Sequence, residues 1–454
     1  MDQQLGLLPS TSIAEASDVP SIHSGKPRLN VAIRNQIEFR TASLDDLLPS
    51  DHNARFVWAF VEELDLSAIL RDIRSVEYGG GRPATDPRIL LALWLYATLE
   101  GIVSARTIAE YCHEHIAYQW LCGGVGMNHH TISDFAVDHG EQFEEFLAQS
   151  VAILMKQGFV TLEEVSQDGV RVRASAGSSS FRREPTLEDC YEKAKQFLAS
   201  LREELKSDPT KSLSQKQAAT QRSAKEREDR VKEALEELKK LKEEKRESFK
   251  KQRKTPKEED FKKVRVSTTD PQARVMKMAC GGFRPAYNIQ FATDTGSRVI
   301  VGVDVNNRGN DTGLINKMVS EVEKKHGVEP GRWLVDGGYV DYAELNRVSE
   351  SHRGTKVYMP PRITPNSTKD PYSPMSGDSE AVAEWRKRMK TDEAKEIYKR
   401  RGSTAEHSNA QARNRGLQQF TVRGIRKVKA VASRFALVHN MQRWFILQTS
   451  CRMG

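Results

Sequence analysis

The stretch Arg332-Trp-Leu-Val-Asp-Gly-Gly-Tyr-Val-Asp341 decides how the rest of the chain is read. Trp333, Leu334 and Val335 form a short apolar run that ends at Asp336, and Gly337 and Gly338 follow at once. A buried strand that stops in this way delivers a carboxylate to the carboxyl end of a sheet, where open α/β sheets keep their sites. Asp is also a common turn residue, so one carboxylate before two glycines carries little by itself. If it serves metal-assisted chemistry, it needs companion carboxylates to share the ions.

Upstream, Val165-Ser-Gln-Asp-Gly-Val-Arg-Val-Arg-Ala174 alternates β-branched residues and predicts a strand with Asp168 inside it, beside Gly169. A charge in mid-strand is unfavourable unless it faces water, a partner or a metal, which makes Asp168 the second candidate. Downstream, Ala286–Asp294 and Ser297–Val305 read as a hairpin turned at Asp294-Thr-Gly. A helix beginning at Asp311 carries Leu314, Met318 and Val322 on one face. The opening strand follows, then a short helix over 342–348 and a strand at Lys356-Val-Tyr-Met stopped by two prolines. With the charged segment described below left out, the order is β-β-β-α-β-α-β-α, that of an RNase H-like α/β fold, a mixed sheet flanked by helices. Asp168 and Asp336 are then expected on neighbouring central strands.

Such a fold needs a third carboxylate on a late helix. The segment from Glu396 to Gly416 offers Glu406 in the first turn of an expected helix, capped by Ser403 or Thr404, with Asn409 and Arg413 on its face. Lys399, Arg400, Arg401, Arg413, Arg415, Arg423, Arg426, Lys427 and Lys429 surround it, a density of positive charge suited to phosphate backbones. Asp304, Asp311 and Asp270 are the nearest rival carboxylates.

The remaining segments differ in composition. Residues 1–36 lack clear periodicity and read as a flexible tail. Residues 37–160 read as an all-α domain: a short helix over 43–49, a helix from Asn53 to Leu70, an apolar helix entered at Thr85-Asp-Pro-Arg, and a helix over 104–111. A further helix is entered through Asn128-His-His-Thr, and His129, His130 and Thr131 at its amino end are candidates for DNA contact. From 185 to 263 dense alternating charge with a narrow stripe of Val231, Leu235 and Leu238 predicts a helical hairpin or short coiled coil inserted into the α/β domain. The α/β domain therefore comprises 161–184 and 264–446, and 447–454 form a carboxyl-terminal tail.

Composition sets outer bounds. Lys and Arg number 70 against 62 Asp and Glu, a net charge of +8 and a pI near 9.1, compatible with a polyanionic partner. Mean hydropathy is −0.61 and no run approaches the roughly 20 apolar residues of a membrane helix, so a soluble, cytoplasmic protein is expected. The five cysteines are scattered, with no C-x-x-C pair, and read as reduced thiols.

Several motifs in this order resemble bacterial insertion-sequence transposases of the DDE type with an InsH-like helical amino-terminal domain. They are Gly81-Arg-Pro-Ala-Thr-Asp-Pro-Arg88, Asp168-Gly-Val-Arg-Val-Arg-Ala-Ser-Ala176, Ser267-Thr-Thr-Asp-Pro-Gln-Ala-Arg-Val-Met-Lys277, Tyr287-Asn-Ile-Gln290, Leu334-Val-Asp-Gly-Gly-Tyr339 and Ala405-Glu-His-Ser-Asn-Ala-Gln-Ala-Arg-Asn-Arg-Gly-Leu417. The resemblance implies a catalytic and metal-binding triad of Asp168, Asp336 and Glu406, accompanied by Tyr398, Arg401 and Arg413. The last two spacings depart from the commonest family pattern: one extra residue separates Tyr398 from Glu406, and Arg413 stands where lysine is usual. Also implied are two Mg²⁺ ions, with Mn²⁺ as substitute, and double-stranded DNA as partner, both the terminal inverted repeats and the target. Assembly as a homodimer or larger on DNA is expected, with no membrane association. Competing expectations are a DNA-binding scaffold that no longer catalyses and a nuclease that cuts without joining.

Overall fold

The computed structural model describes residues 41–76, 83–207, 215–363 and 369–453, so the expected tail over 1–36 and Gly81 and Arg82 of the first motif lie outside the described residues. Seven helices come first: α1 (Asn53–Glu62), α2 (Ser67–Arg71), α3 (Pro87–Leu99), α4 (Ala105–Glu114), α5 (Ile116–Cys122), α6 (His129–Asp138) and α7 (Gln142–Lys156). Their starts follow capping chemistry. Asp86 accepts from Arg88 N with Pro87 at the first position, Ser104 accepts from Thr107 N, and Asn128 accepts from Thr131 N.

Two expectations here are corrected. Residues 43–49 form turns rather than a helix, because the Arg55 guanidinium takes the carbonyls of Asp45, Leu48 and Pro49 that a helical ladder would use. The helix expected from Asn53 to Leu70 is two, since Asp65 accepts from Ser67 N and starts a new one. Leu91, Leu93 and Leu95 of α3 are fully buried, with Val57 and Val61 of α1 and Ile108 of α4 in the same apolar cluster.

The chain then enters β1 (Glu164–Arg173), followed by β2 (Phe181–Arg182), α8 (Glu184–Ser207), α9 (Gln215–Lys251), α10 (Glu258–Lys262) and β3 (Val266–Ser267). The two long helices pack on each other, with Leu187, Ala234, Leu238 and Val266 forming a small core of their own. After this arm come β4 (Arg274–Lys277), β5 (Phe283–Asp294), β6 (Ile300–Asn306), α11 (Ile315–His326), β7 (Arg332–Leu334), α12 (Tyr342–Ser351), β8 (Lys356–Tyr358), α13 (Glu380–Lys390), α14 (Asp392–Asn414) and α15 (Ile425–Met453).

The sheet is mixed. β5 lies antiparallel to both β1 and β6, while β1, β7 and β8 run parallel, giving the order β6-β5-β1-β7-β8 with β4 on the early half of β5. Val165 pairs with Trp333 and Ser166 with Leu334, so the two parallel strands are in register just before their carboxylates. One face buries Trp333, Val335 and Tyr339 with α11, α12, α13 and the start of α14. The other buries Tyr287, Ile289 and Phe291 against Val428, Ala432, Phe435 and Ala436 of α15.

Helix α15 continues across residue 447 and also contributes Leu437, Val438 and Met441 to the helical cluster. Asn440 fastens it to β6, accepting from Ile300 N at 2.8 Å and donating to Ile300 O at 2.8 Å and to Ser150 Oγ. One residue earlier, the buried His439 hydrogen-bonds the Arg298 carbonyl at 2.7 Å. Burial holds this imidazole neutral and pushes its pKa down to about 3.

Because the unfolded chain protonates His439 near pH 6.5 and the folded chain resists, its contribution to stability is complete above pH 6.5 and is lost as pH falls toward 3. Thermal denaturation of wild type and His439→Gln should diverge below pH 6.5, wild type losing up to about 1.4 kcal/mol per pH unit more than the variant.

Candidate active site

The parallel pairing of β1 with β7 decides the site's position. Asp168 lies opposite Phe291 in the β1–β5 ladder, and Asp336 follows β7, where its carboxylate accepts from Gly338 N at 2.7 Å. Helix α14 crosses these strand ends. It is fastened by Arg400, which makes a two-pronged ion pair with Glu164 at the start of β1 (2.8 and 2.5 Å), and by Ser408 Oγ at 3.1 Å from Thr293 Oγ1 of β5.

From that helix two side chains reach Asp168. Arg401 donates to one oxygen at 3.0 Å and Asn409 Nδ2 to the other at 2.8 Å; the same Arg401 nitrogen lies 3.6 Å from Asp336. A single guanidinium therefore stands between the two carboxylates. Burial pushes the Asp168 carboxyl up, Arg401 opposes this, and the neighbouring charges of Asp336 and Asp311 add to the rise. Burial likewise raises Tyr398, which hydrogen-bonds Arg401. Two buried atoms at this junction have no hydrogen-bond partner among the described residues, Arg401 Nε and Asn409 Oδ1.

A second polar layer supports the first. Gln290 Nε2 and Asn288 Nδ2 donate to Asp311 Oδ1 at 2.8 and 2.7 Å, and Gln290 Oε1 accepts from Gln167 Nε2 at 3.0 Å and from the Tyr339 hydroxyl. Trp333 Nε1 donates to Gln167 at 2.9 Å. This network crowds the backbone beside Asp168: a Cβ on Gly169 would sit 2.5 Å from Gln290 Nε2 and 2.7 Å from Asp311 Oδ1. Gly169 is required by close approach, since its φ is not in the left-handed region.

Glu406 is not brought together with the two aspartates. It is exposed, one turn before Asn409, and among the described residues no group of three or more His, Cys, Asp or Glu side chains is placed to hold a metal. Its expected place in a first turn is also corrected. α14 begins at Asp392, capped by Thr391, and continues through Gly402-Ser-Thr, where Ser403 and Thr404 turn their hydroxyls back to the Arg400 carbonyl instead of capping a new helix.

Of the other expected contacts, Arg413 and Arg423 are exposed, whereas Arg415 is 6% exposed and donates to Gln411 within its own helix. His129, His130 and Thr131 occupy the first turn of α6, the two imidazoles 4.0 Å apart between ring centres. Asp270 is buried, accepting from the Tyr287 hydroxyl at 2.7 Å and from Gly424 N, and Asp304 pairs with Lys317 at 2.7 Å. Asn409 as a direct Asp168 ligand and the Gln167–Gln290 layer were not expected. The polar alternation in Tyr287-Asn-Ile-Gln290 is the signal that could have found the latter.

Two segments match known families. Residues 42–138 match the family described as Transposase domain (DUF772), and residues 373–445 match the family described as Transposase DDE domain. The second match includes Tyr398, Arg401, Glu406 and Arg413. No curated protein and no solved structure matches the chain.

Gly169→Ala should cost about 1–3 kcal/mol, the range for forcing an extra carbon into a filled interior. Chemical denaturation would measure it, and loss of the Asp168–Arg401 contact should accompany it.

Proposed function

With the two matched domains supporting an insertion-sequence DDE transposase as premise, we propose that the chain cleaves DNA strands at the ends of its element and transfers them to a target. The observation that carries this reading is Arg401 between Asp168 and Asp336. Two carboxylates this close repel one another unless a positive charge is shared, and a side-chain cation already fills that place. An unpartnered amide oxygen, Asn409 Oδ1, lies beside it, so the donor set is one that hard divalent cations accept.

Asp168, Asp336 and Glu406 would hold two Mg²⁺ ions, or Mn²⁺ in their place. Such ions supply activation of the attacking oxygen and stabilisation of the leaving one. The protein's own part is positioning. Arg401 gives up its carboxylates and, with Tyr398 and Arg413, binds the scissile phosphate. Glu406 turns in from the flank of α14. The second polar layer keeps Asp168 fixed on β1. Cleavage and strand transfer then differ only in the attacking oxygen, that of water in the first and that of the freed 3′-hydroxyl in the second; each displaces one bridging oxygen of the scissile phosphate, and no bond to the protein forms.

The core is proposed to be RNase H-like, supported by the order β6-β5-β1-β7-β8 with three antiparallel strands followed by two parallel ones. Residues 37–160 are the proposed DNA-binding domain, with His129, His130 and Thr131 presenting the amino end of α6 to phosphates or base edges. Assembly on the paired inverted repeats as a homodimer or larger completes the reading. The exposed position of Glu406 favours a second one, a DNA-binding protein without catalysis.

Purified protein incubated with Mg²⁺ or Mn²⁺ and a duplex carrying the element's inverted repeats separates the two. Nicking should fall at least about a hundredfold in Asp168→Asn, Asp336→Asn and Glu406→Gln, the scale of losing a group that stabilises transition-state charge, while DNA binding persists. Binding by wild type without any nicking would establish the scaffold instead.

A further inference from the structure

Two sequence features have no part in the chemistry above, the charged arm of α8 and α9 and the motif Ser267-Thr-Thr-Asp-Pro-Gln272. They meet in one cleft. It has a volume of about 240 Å³ and is lined by Arg227 and Arg230 of α9, Thr268 and Thr269 after β3, Arg423 after α14, and Cys190 of α8. Three guanidinium groups from two distant parts of the chain thus converge beside two hydroxyls.

The convergence is built by specific contacts. Gln272 joins three segments: its amide nitrogen donates to Glu233 of α9 at 3.0 Å and its oxygen accepts from Ile425 N at 2.7 Å. Asp270 accepts from Gly424 N at 3.2 Å, which fixes the backbone next to Arg423. Arg274 of β4 pairs with Glu237 of α9 at 2.6 Å, both nearly buried, so the arm is fastened to the sheet at this point. Val231 and Leu238 are buried on the same helix. The backbone segments that carry the arginines are therefore held together before any ligand arrives, which lowers the ordering cost of binding.

Its charge is only partly balanced from within: the Asp270 carboxylate is the acidic neighbour of Arg423, Arg230 reaches the exposed Glu226 at only 3.5 Å, and Arg227 and Arg423 are in no ion pair among the described residues. Forked cationic donors with neighbouring hydroxyls are the chemistry that recognises a phosphate group. We propose that this cleft is a phosphate clamp for duplex DNA, through which the arm grips the backbone without reading sequence. The inference rests on the chain acting on DNA. Free phosphate shares the chemistry, but the exposed Lys427 follows Arg423 by four residues, in the first turn of α15, and offers a second cation to a continuous polyanion, whereas Arg426 and Lys429 are already paired with Glu141 and Glu144.

The test is the salt dependence of binding to a duplex of arbitrary sequence, followed by fluorescence anisotropy with the full chain. Arg227→Gln/Arg230→Gln should lower the slope of log Kd against log salt by about 1 to 2, weakening all sequences alike, and Arg423→Gln should lower it by about 1. Lys239→Gln, the same charge change elsewhere on α9, should leave it nearly unchanged. Equal slopes for wild type and the double variant overturn the clamp, as does an equal effect of Lys239→Gln. So does sub-millimolar inorganic phosphate binding that the double variant loses while its DNA binding is intact. Nicking by wild type, measured in parallel, reports separately on the catalytic reading, and failure of wild type to bind any duplex overturns both.

Discussion

Two like charges share one short gap, and much else in the α/β half follows from how that gap is kept tolerable. Asp168 comes from inside a strand and Asp336 from the end of the next, so their approach is fixed by backbone pairing rather than by flexible side chains. The cost of such placement falls on Asp168, which is the more buried of the two, Asp336 being 42% exposed, and Arg401 offsets it. The Glu164–Arg400 pair next to it keeps α14 where Arg401 can serve. The gap is thus a property of the sheet, and the helix regulates what fills it.

Around the gap, polarity is layered. Gln167, Gln290 and Asn288 are almost wholly buried, yet each finds partners within the network that ends on Asp311 and Tyr339. A filled network of amides is stiff, because losing one member strands the others. Stiffness on the sheet side contrasts with the helix side, where Arg401 Nε and Asn409 Oδ1 lack partners. The asymmetry locates the adaptable part of the site on α14.

Much of this was legible in the sequence because local rules coincide there with the fold. Period-two alternation marked β1, β5 and β6, and an apolar triplet before Asp-Gly-Gly marked β7. Capping residues set the starts of α3, α4 and α6 within a residue. What misled was chemistry that works at a distance. Arg55 converts an expected helix at 43–49 into turns by taking its carbonyls, and Gly402-Ser-Thr looks like a helix start although packing of Ala394, Ile397 and Ala405 keeps α14 whole. The place of Glu406 in its helix was not legible, because helical phase depends on where the helix truly begins. Asn409 was assigned to a helix face in advance, yet its contact with Asp168 could not be read without the crossing of helix over strand.

The pairing of β2 with β3 has an architectural consequence. Phe181 lies opposite Ser267 and Arg182 opposite Val266, so the strands that flank the arm stand side by side. The chain leaves the domain and re-enters it through one narrow doorway. A module hung on such a doorway can lengthen, shorten or be exchanged for a tight turn while the sheet behind it keeps its connectivity. The outer surface of the arm can therefore diverge between relatives at a different pace from the surface around Asp168 and Asp336.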